Sequence, residues 1–347
     1  MKNRLFSKLV AAAVAATLMA GIVTGCGGSS SAGGDSKEAA EETQEQAEAE
    51  AEEAEKEADA AAEAAQDEAA PADAQTAQEP AAADADAPIT PVDGDNKITV
   101  GASPVPHVEI LTSVVKDVLA RDGWELEIVS FQDYVLPNTS LDAGELDANY
   151  FQTLGYMDQQ NADRGLHLKA VAGVHIEPMG IYSEKYTAIA DIPDGAKIGI
   201  PNDPDNGERA LDLLVQKGLL VSKGAYGTDE NYSFESITTD TEANPHGYEI
   251  TPLEAANLPL SLPDLDAAAI NGNYALGASL PSTYPALEIE EFDEETSVKR
   301  TNFIVVNEGD ENSPKIQALI RAIQSDEVKN YIDETYKGAV IASFITP

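Results

Sequence analysis

Cysteine is almost absent from this chain: Cys26 stands alone among 347 residues. A lone thiol rules out an intrachain disulfide and a cysteine-rich metal cluster. Positive charge is also scarce, with 21 Lys and Arg against 62 Asp and Glu and a formal net charge of −41. That balance argues against a nucleic-acid backbone or an anionic membrane surface as partner. Aromatic residues make up only 6% of the chain. No GxSxG, HExxH, P-loop or glycine-rich dinucleotide turn is present, and no nucleophile stands beside an evident base, so a binding role is favoured over turnover and no cofactor is expected.

Long apolar runs are confined to the start, MKNRLFSKLVAAAVAATLMAGIVTGC. Lys2, Arg4 and Lys8 precede an apolar stretch from Leu9 to Ala20 that is short for a bilayer span and fits a signal peptide over 1–25. An ordinary secretory signal with an unrelated cysteine would read similarly. The only cysteine falling at the cleavage point, after Val-Thr-Gly, favours lipidation of Cys26 and retention at a lipid bilayer.

Residues 27–88 contain no Val, Leu, Ile, Met or aromatic residue, and Asp35 to Pro88 holds 19 acidic residues against Lys37 and Lys56. Such a segment has no apolar surface to offset the entropy of ordering. Residues 26–96 are therefore expected to be a disordered, self-repelling tether reaching several tens of ångström, at ~5–6 Å × √n.

From Lys97 the texture changes to apolar runs punctuated by Pro and Gly, long enough for two lobes with separate cores. Strands are predicted at 97–102, 124–131, 166–176, 197–202, 266–271 and 301–307, with helices at 107–120, 206–218, 254–261, 274–280 and 314–336. Alternation of the two predicts an α/β architecture with parallel sheets and crossover helices. Several strands end in polar, Pro- or Gly-rich stretches (GASPVPH, HIEPMG, IPNDPDNGERA, INGNYA). Polar strand exits facing one cleft are the pattern of a binding protein or an enzyme.

Three of these stretches carry candidate chemistry. In PNDPDNGERALDLL (201–214), Asp205 or Asn206 is the expected helix cap and Arg209 falls in the first turn. Backbone donors and a guanidinium there would suit a carboxylate; pairing of Arg209 with Asp205 or Glu208 at the surface is equally compatible. In DAAAINGNYAL (266–276), Asn271-Gly272 reads as a turn before a helix starting at Tyr274 or Ala275. Asn271 or Asn273 could also touch a ligand. In ELDANYFQTLGYM (145–157), Tyr150, Phe151 and Tyr156 read either as core or as a pocket wall. The four histidines, His107, His167, His175 and His246, show no spacing that forces a metal site.

PVPHVEIL (104–111), FQDYVLPNTSLDAGELDANYFQ (131–152), HIEPMGIYS (175–183), IPNDPDNGERAL (200–211), ITPLEAANLP (250–259) and INGNYAL (270–276) occur in order. With these, the chain from about Lys97 to Phe344 resembles the methionine-binding lipoproteins of the MetQ/NlpA type, which deliver substrate to an ABC importer. The resemblance implies a two-lobed periplasmic-binding-protein fold of type II, with a hinge and an interlobe cleft. Lobe one would span 97–182 with 298–347, and lobe two 183–297. It implies further that Arg209 holds an amino acid's carboxylate and that Asn271 binds its polar end. Glu177 or Asn206 would take the ammonium, and Tyr134 and Phe151, with Tyr156 nearby, would surround the thioether. Members of that family usually carry a histidine directly after NYFQ, where this chain has Thr153; this bears on side-chain selectivity. The expected ligand is methionine or a close relative, and the expected partners are ABC permease subunits, with the protein a monomer on the extracytoplasmic face of the membrane. Competing readings are a surface lipoprotein with an interaction role and a metal-ion receptor using His107 and His175.

Overall fold

A computed structural model describes residues 88–92, 94–222 and 234–347. The signal segment, Cys26 and most of the acidic stretch lie outside the described residues. Among the described residues no helix is long and apolar enough to cross a membrane.

The first sheet uses β1 (Lys97–Ala102), β2 (Glu125–Ser130), β3 (Ala148–Thr153), β4 (Leu168–Ile176), β10 (Thr301–Asn307) and β11 (Ile341–Ala342), in the order β11-β4-β10-β3-β1-β2. The second uses β5 (Gly180–Tyr182), β6 (Lys197–Pro201), β7 (Glu249–Leu253), β8 (Ala267–Ile270) and β9 (Glu288–Ile289), in the order β7-β6-β8-β5-β9. Each sheet with its helices makes one lobe. The helices that bear on the cleft and cores are α1 (Lys116–Arg121), α2 (Leu136–Asp142), α3 (Leu154–Arg164), α4 (Pro204–Gln216), α5 (Gly272–Gly277), α6 (Pro314–Ile323) and α7 (Asp326–Tyr336).

All six expected strands form, because strands covered on both faces read as short continuous apolar runs. The sheets are not wholly parallel, however. β1 pairs in parallel with β2 and β3, but β10 runs antiparallel to β3 and β4; β6 is parallel to β7 and β8, but β5 runs antiparallel to β8. The reason is the route of the chain. A strand reached by a crossover on its own lobe enters its sheet parallel, whereas β5 and β10 arrive from the other lobe and start at the cleft. The crossings fall between Ile176 and Gly180 and between Ile289 and Thr301. β5 thus belongs to the second sheet, ahead of the boundary expected after residue 182.

β10 shows how period-two alternation serves two cores. Ile304 and Val306 pack with Ile98, Leu111, Leu319 and Ile332, while Phe303 and Val305 pack on the opposite face with Leu141, Leu146 and Met157. The second sheet is covered by Leu211 and Leu214 of α4 on one side and by Leu258, Leu262 and Leu280 on the other. The helical pattern expected over 314–336 is two helices, α6 and α7. The break falls where Ser325 caps α7 by accepting from the Val328 amide at 3.4 Å.

Residues ahead of β1 are also attached. The Trp124 indole N–H donates to Ile89 O at 2.6 Å, and Ile89 packs against the lobe-one core. Lys315 Nζ lies 3.0 Å from Asp95 Oδ2.

Candidate ligand-binding site

The strand ends meet at a narrow cavity between the lobes. All eight cleft residues expected from the sequence line it: Tyr134, Phe151, Thr153, Tyr156, Glu177, Asn206, Arg209 and Asn271. Gln152, Gly272, Asn273 and Asn302 join them. β3, β4 and the start of β10 supply the lobe-one side, and the segments after β6 and β8 supply the other.

One wall is aromatic. Tyr134 lies 5.7 Å from Phe151 and 5.6 Å from Tyr156, centroid to centroid, and Phe151 lies 6.0 Å from Tyr156 in an edge-to-face contact. Tyr134 reaches the opposite lobe through its hydroxyl, which donates to Asn273 Oδ1 at 2.6 Å. The reading of ELDANYFQTLGYM divides by residue. Tyr150 is wholly buried in the lobe-one core, whereas Phe151 and Tyr156 face the cavity. Gln152 is held from below by Asn138 and Asn149, to which its amide donates at 2.6 and 3.0 Å.

The polar wall begins at α4. Its cap is Asp203, whose Oδ1 accepts from the Asn206 amide at 2.9 Å, so Pro204 opens the helix. The expected cap at Asp205 or Asn206 is corrected by two residues or more, because proline at the first helical position fixes the start there. Arg209 consequently lies in the second turn. It is also buried, 5% exposed, and does not pair at the surface with Asp205 or Glu208. Its Nε lies 3.0 and 3.1 Å from the two Glu290 oxygens, and its Nη2 donates to Glu290 Oε2 at 2.6 Å and to Glu177 O at 2.8 Å. None of these bonds uses Nη1. Burial opposes the charge on Arg209, but Glu290 outweighs it and raises the guanidinium pKa further.

Asn271 and Gly272 make no left-handed turn; Asn271 is the cap position of α5, which starts at Gly272. The requirement for glycine is closeness instead. A Cβ on Gly272 would come within 2.7 Å of Glu177 Cβ and 3.1 Å of Pro178 O. Asn271 does not use its side chain to cap the helix, forgoing a bond commonly worth ~1 kcal/mol. Its Nδ2 donates to Asn206 Oδ1 at 2.7 Å, and its buried Oδ1 has no partner. An orphaned buried acceptor of this kind costs ~1–3 kcal/mol, and here it belongs to a cavity-lining residue.

Glu177 sits where the first crossing leaves β4. Its Oε1 accepts from His175 Nε2 at 2.6 Å, and the Asn273 amide also bonds its carboxylate. With Nε2 donating, His175 Nδ1 accepts from the Tyr150 hydroxyl at 2.5 Å. His107 Nε2 lies 3.4 Å from Glu177 Oε1 and 3.2 Å from Asn302 Oδ1. Burial raises the Glu177 pKa to about 7, against the pull of His107 and Arg209. Burial likewise lowers His107 to about 4 and His175 to about 3, so both imidazoles are neutral near pH 7. The donor atoms of His107, His175 and Glu177 lie within 4.8 Å of one another, with both imidazoles directed at Glu177 Oε1 and the Tyr150 hydroxyl behind His175.

Thr153 caps α3, its Oγ1 accepting from the Tyr156 amide at 3.4 Å, and it reaches across to Asp205 Oδ2 at 3.4 Å. The chief residue missed from the sequence is Glu290. It lies 81 positions from Arg209 and had no local signal except acidity within an acidic run.

The sequence profile described as NlpA lipoprotein matches residues 98–344. The chain belongs to this family. Among its NlpA relatives is the D-methionine-binding lipoprotein MetQ of Escherichia coli strain K12, 35% identical over 235 residues, covering 67% of this chain and 82% of the relative. The membrane lipoprotein TpN32 of Treponema pallidum is 34% identical over 248 residues, covering 72% and 88%. Among solved structures, a nutrient binding protein from Burkholderia cenocepacia bound to methionine superposes with a TM-score of 0.65 at 39% identity, covering 71% of this chain and all of that one (100%). The NlpA lobes described above thus have the expected two-lobed binding-protein fold.

Proposed function

We propose that this chain captures methionine, or a close relative of it, and hands it to the permease of an ABC importer. The observation that carries the reading is the buried, unpartnered Oδ1 of Asn271 in a cavity that also holds Arg209 and Glu177. A zwitterion supplies what these groups lack. Its ammonium satisfies Asn271 Oδ1 and faces Glu177, with Asn206 alongside, and its carboxylate takes the Nη1 side of Arg209 in a charge-assisted bond. Tyr134, Phe151 and Tyr156 enclose the side chain, where sulfur against an aromatic ring gains ~0.3–1.5 kcal/mol. Thr153, a buried lining residue, bears on how large that side chain can be. The names of the relatives point the same way, since the E. coli protein is called D-methionine-binding and the B. cenocepacia structure is bound to methionine.

The protein acts by binding, with ATP hydrolysis in other subunits. It works as a monomer, held by lipid on Cys26 at the extracytoplasmic face. Isothermal titration and thermal unfolding test the ligand. Methionine at 100 times Kd is expected to add about 2.7 kcal/mol of stability, and Arg209→Ala to remove most of that shift. No heat and no shift with methionine, the other common amino acids or short peptides would overturn the reading.

A further inference from the structure

Arg209 is expected to grip the ligand with one edge, and the structure shows what holds the other. Among the described residues, its hydrogen bonds to protein oxygens, on Glu290 and on Glu177 O, are made through Nε and Nη2. Glu290 is itself fixed. Its Oε2 accepts from the Met179 amide at 3.1 Å, its own amide donates to Met179 O at 2.9 Å, and Arg300 Nε lies 3.2 Å from its Oε1. Glu290 is nearly buried, and burial opposes its charge, but Arg209 and Arg300 overcome this and keep its carboxyl below the usual range.

The placement of these groups in the chain gives the arrangement its meaning. Glu290 stands on the return crossing between lobes, between β9 and β10, while Glu177 and Met179 stand on the outward one. Arg209, on α4 of lobe two, is therefore braced by both crossings at once. We infer that Glu290 is a positioning residue that fixes the Arg209 guanidinium with its Nη1 side toward the cleft and ties that orientation to the two crossings. A long arginine side chain has many rotamers, and holding one before the ligand arrives removes an ordering cost from binding. Arg300 has a part in this: with two guanidiniums around one carboxylate, Glu290 does not cancel the charge that a ligand carboxylate meets. Asp205 and Asp212 also act on Arg300, from the α4 side.

The inference rests on the amino-acid-binding reading and is tested by a ligand that lacks the carboxylate. Methionine and methioninol, in which CH2OH replaces the carboxylate, are titrated into the full chain and into Glu290→Gln. If Glu290 acts through Arg209, the variant loses about tenfold or more in affinity for methionine, while its affinity for methioninol stays within about threefold. Equal losses for the two ligands, or no loss for either, overturn the inference, because a merely structural role does not distinguish them. Should Glu290→Gln leave two facing guanidiniums that prevent folding, the Glu290→Gln/Arg300→Gln pair carries the same comparison. Wild-type protein that binds neither ligand sinks the functional reading itself.

Discussion

Glu177 joins a buried position to a titration near neutrality. Its carboxyl is pushed up to about 7 by burial, and the groups facing it are His175, His107, Arg209 and the Asn273 amide. The two imidazoles stay neutral until about pH 4 and below, so between pH 5 and 8 Glu177 alone of the three changes charge. An ammonium is attracted by the ionised carboxylate and not by the acid. Affinity for an amino acid is therefore highest above pH 7 and falls as pH drops through about 7, by up to about tenfold per pH unit. Titrations from pH 5.5 to 8.5 check this, and Glu177→Gln is expected to flatten the profile at the weaker level. A flat wild-type profile would show that the carboxylate does not face the ammonium. At this scale the sequence named side chains that line the cavity but not their states, because desolvation and the His175 relay come from segments that meet only in the fold.

At the scale of elements, the start of α3 meets the start of α4 across the cleft. Asp205 Oδ2 lies 3.4 Å from Thr153 Oγ1, its amide donates to Gln159 Oε1 at 3.3 Å, and a Cβ on Gly155 would come within 2.2 Å of its Oδ1. Gly155 thus leaves room for the Asp205 carboxylate and forms the seat between the two helix starts. Alanine favours a helix over glycine by ~0.8–1.0 kcal/mol, so Gly155→Ala should leave the unliganded lobe as stable as before. Overpacking of the closed contact costs ~1–3 kcal/mol and should lower ligand affinity correspondingly. Small-angle scattering with saturating ligand should show a more open particle than the wild type; unchanged affinity would refute the seat. Elements were legible where local pattern sufficed, as in β1, β6, β8 and β10. β3 was not recognised as a strand, because ANYFQT mixes polar and aromatic residues whose burial depends on partners such as Asn138, distant in sequence. α6 and α7 read as one helix because no Gly or Pro separates them. The break at Ser325 is what lets Val328 and Ile332, out of phase with Ile316, Leu319 and Ile323 on a continuous helix, reach the same core.

For the whole molecule, the folded part begins before β1. Ile89 accepts the bond from the nearly buried Trp124 indole, and Asp95 pairs with Lys315. A chain starting at residue 97 is expected to be less stable than one starting at 88 by about 1–3 kcal/mol, the cost of an unpaired indole N–H with some lost apolar contact. Chemical denaturation of the two chains measures this, and equal midpoints would mean that 88–96 only rest on the surface. Both should bind ligand alike, since no described residue before Tyr134 lines the cavity.

The sequence by itself determined that the first residues resemble a lipoprotein signal, that 27–88 carry no Val, Leu, Ile, Met or aromatic residue, and that the rest is an α/β chain with polar strand exits. These follow from composition and short-range periodicity. It also named, through the resemblance, eight of the twelve residues that line the cleft. Only the tertiary structure decided that Glu290 grips Arg209, that Gly272 is glycine because Glu177 passes against it, and that Asn271 turns its side chain from the helix to the cavity. Each of these depends on which distant segments approach within hydrogen-bonding or van der Waals distance. That approach is set by the two crossings between lobes, and no local pattern of residues encodes it.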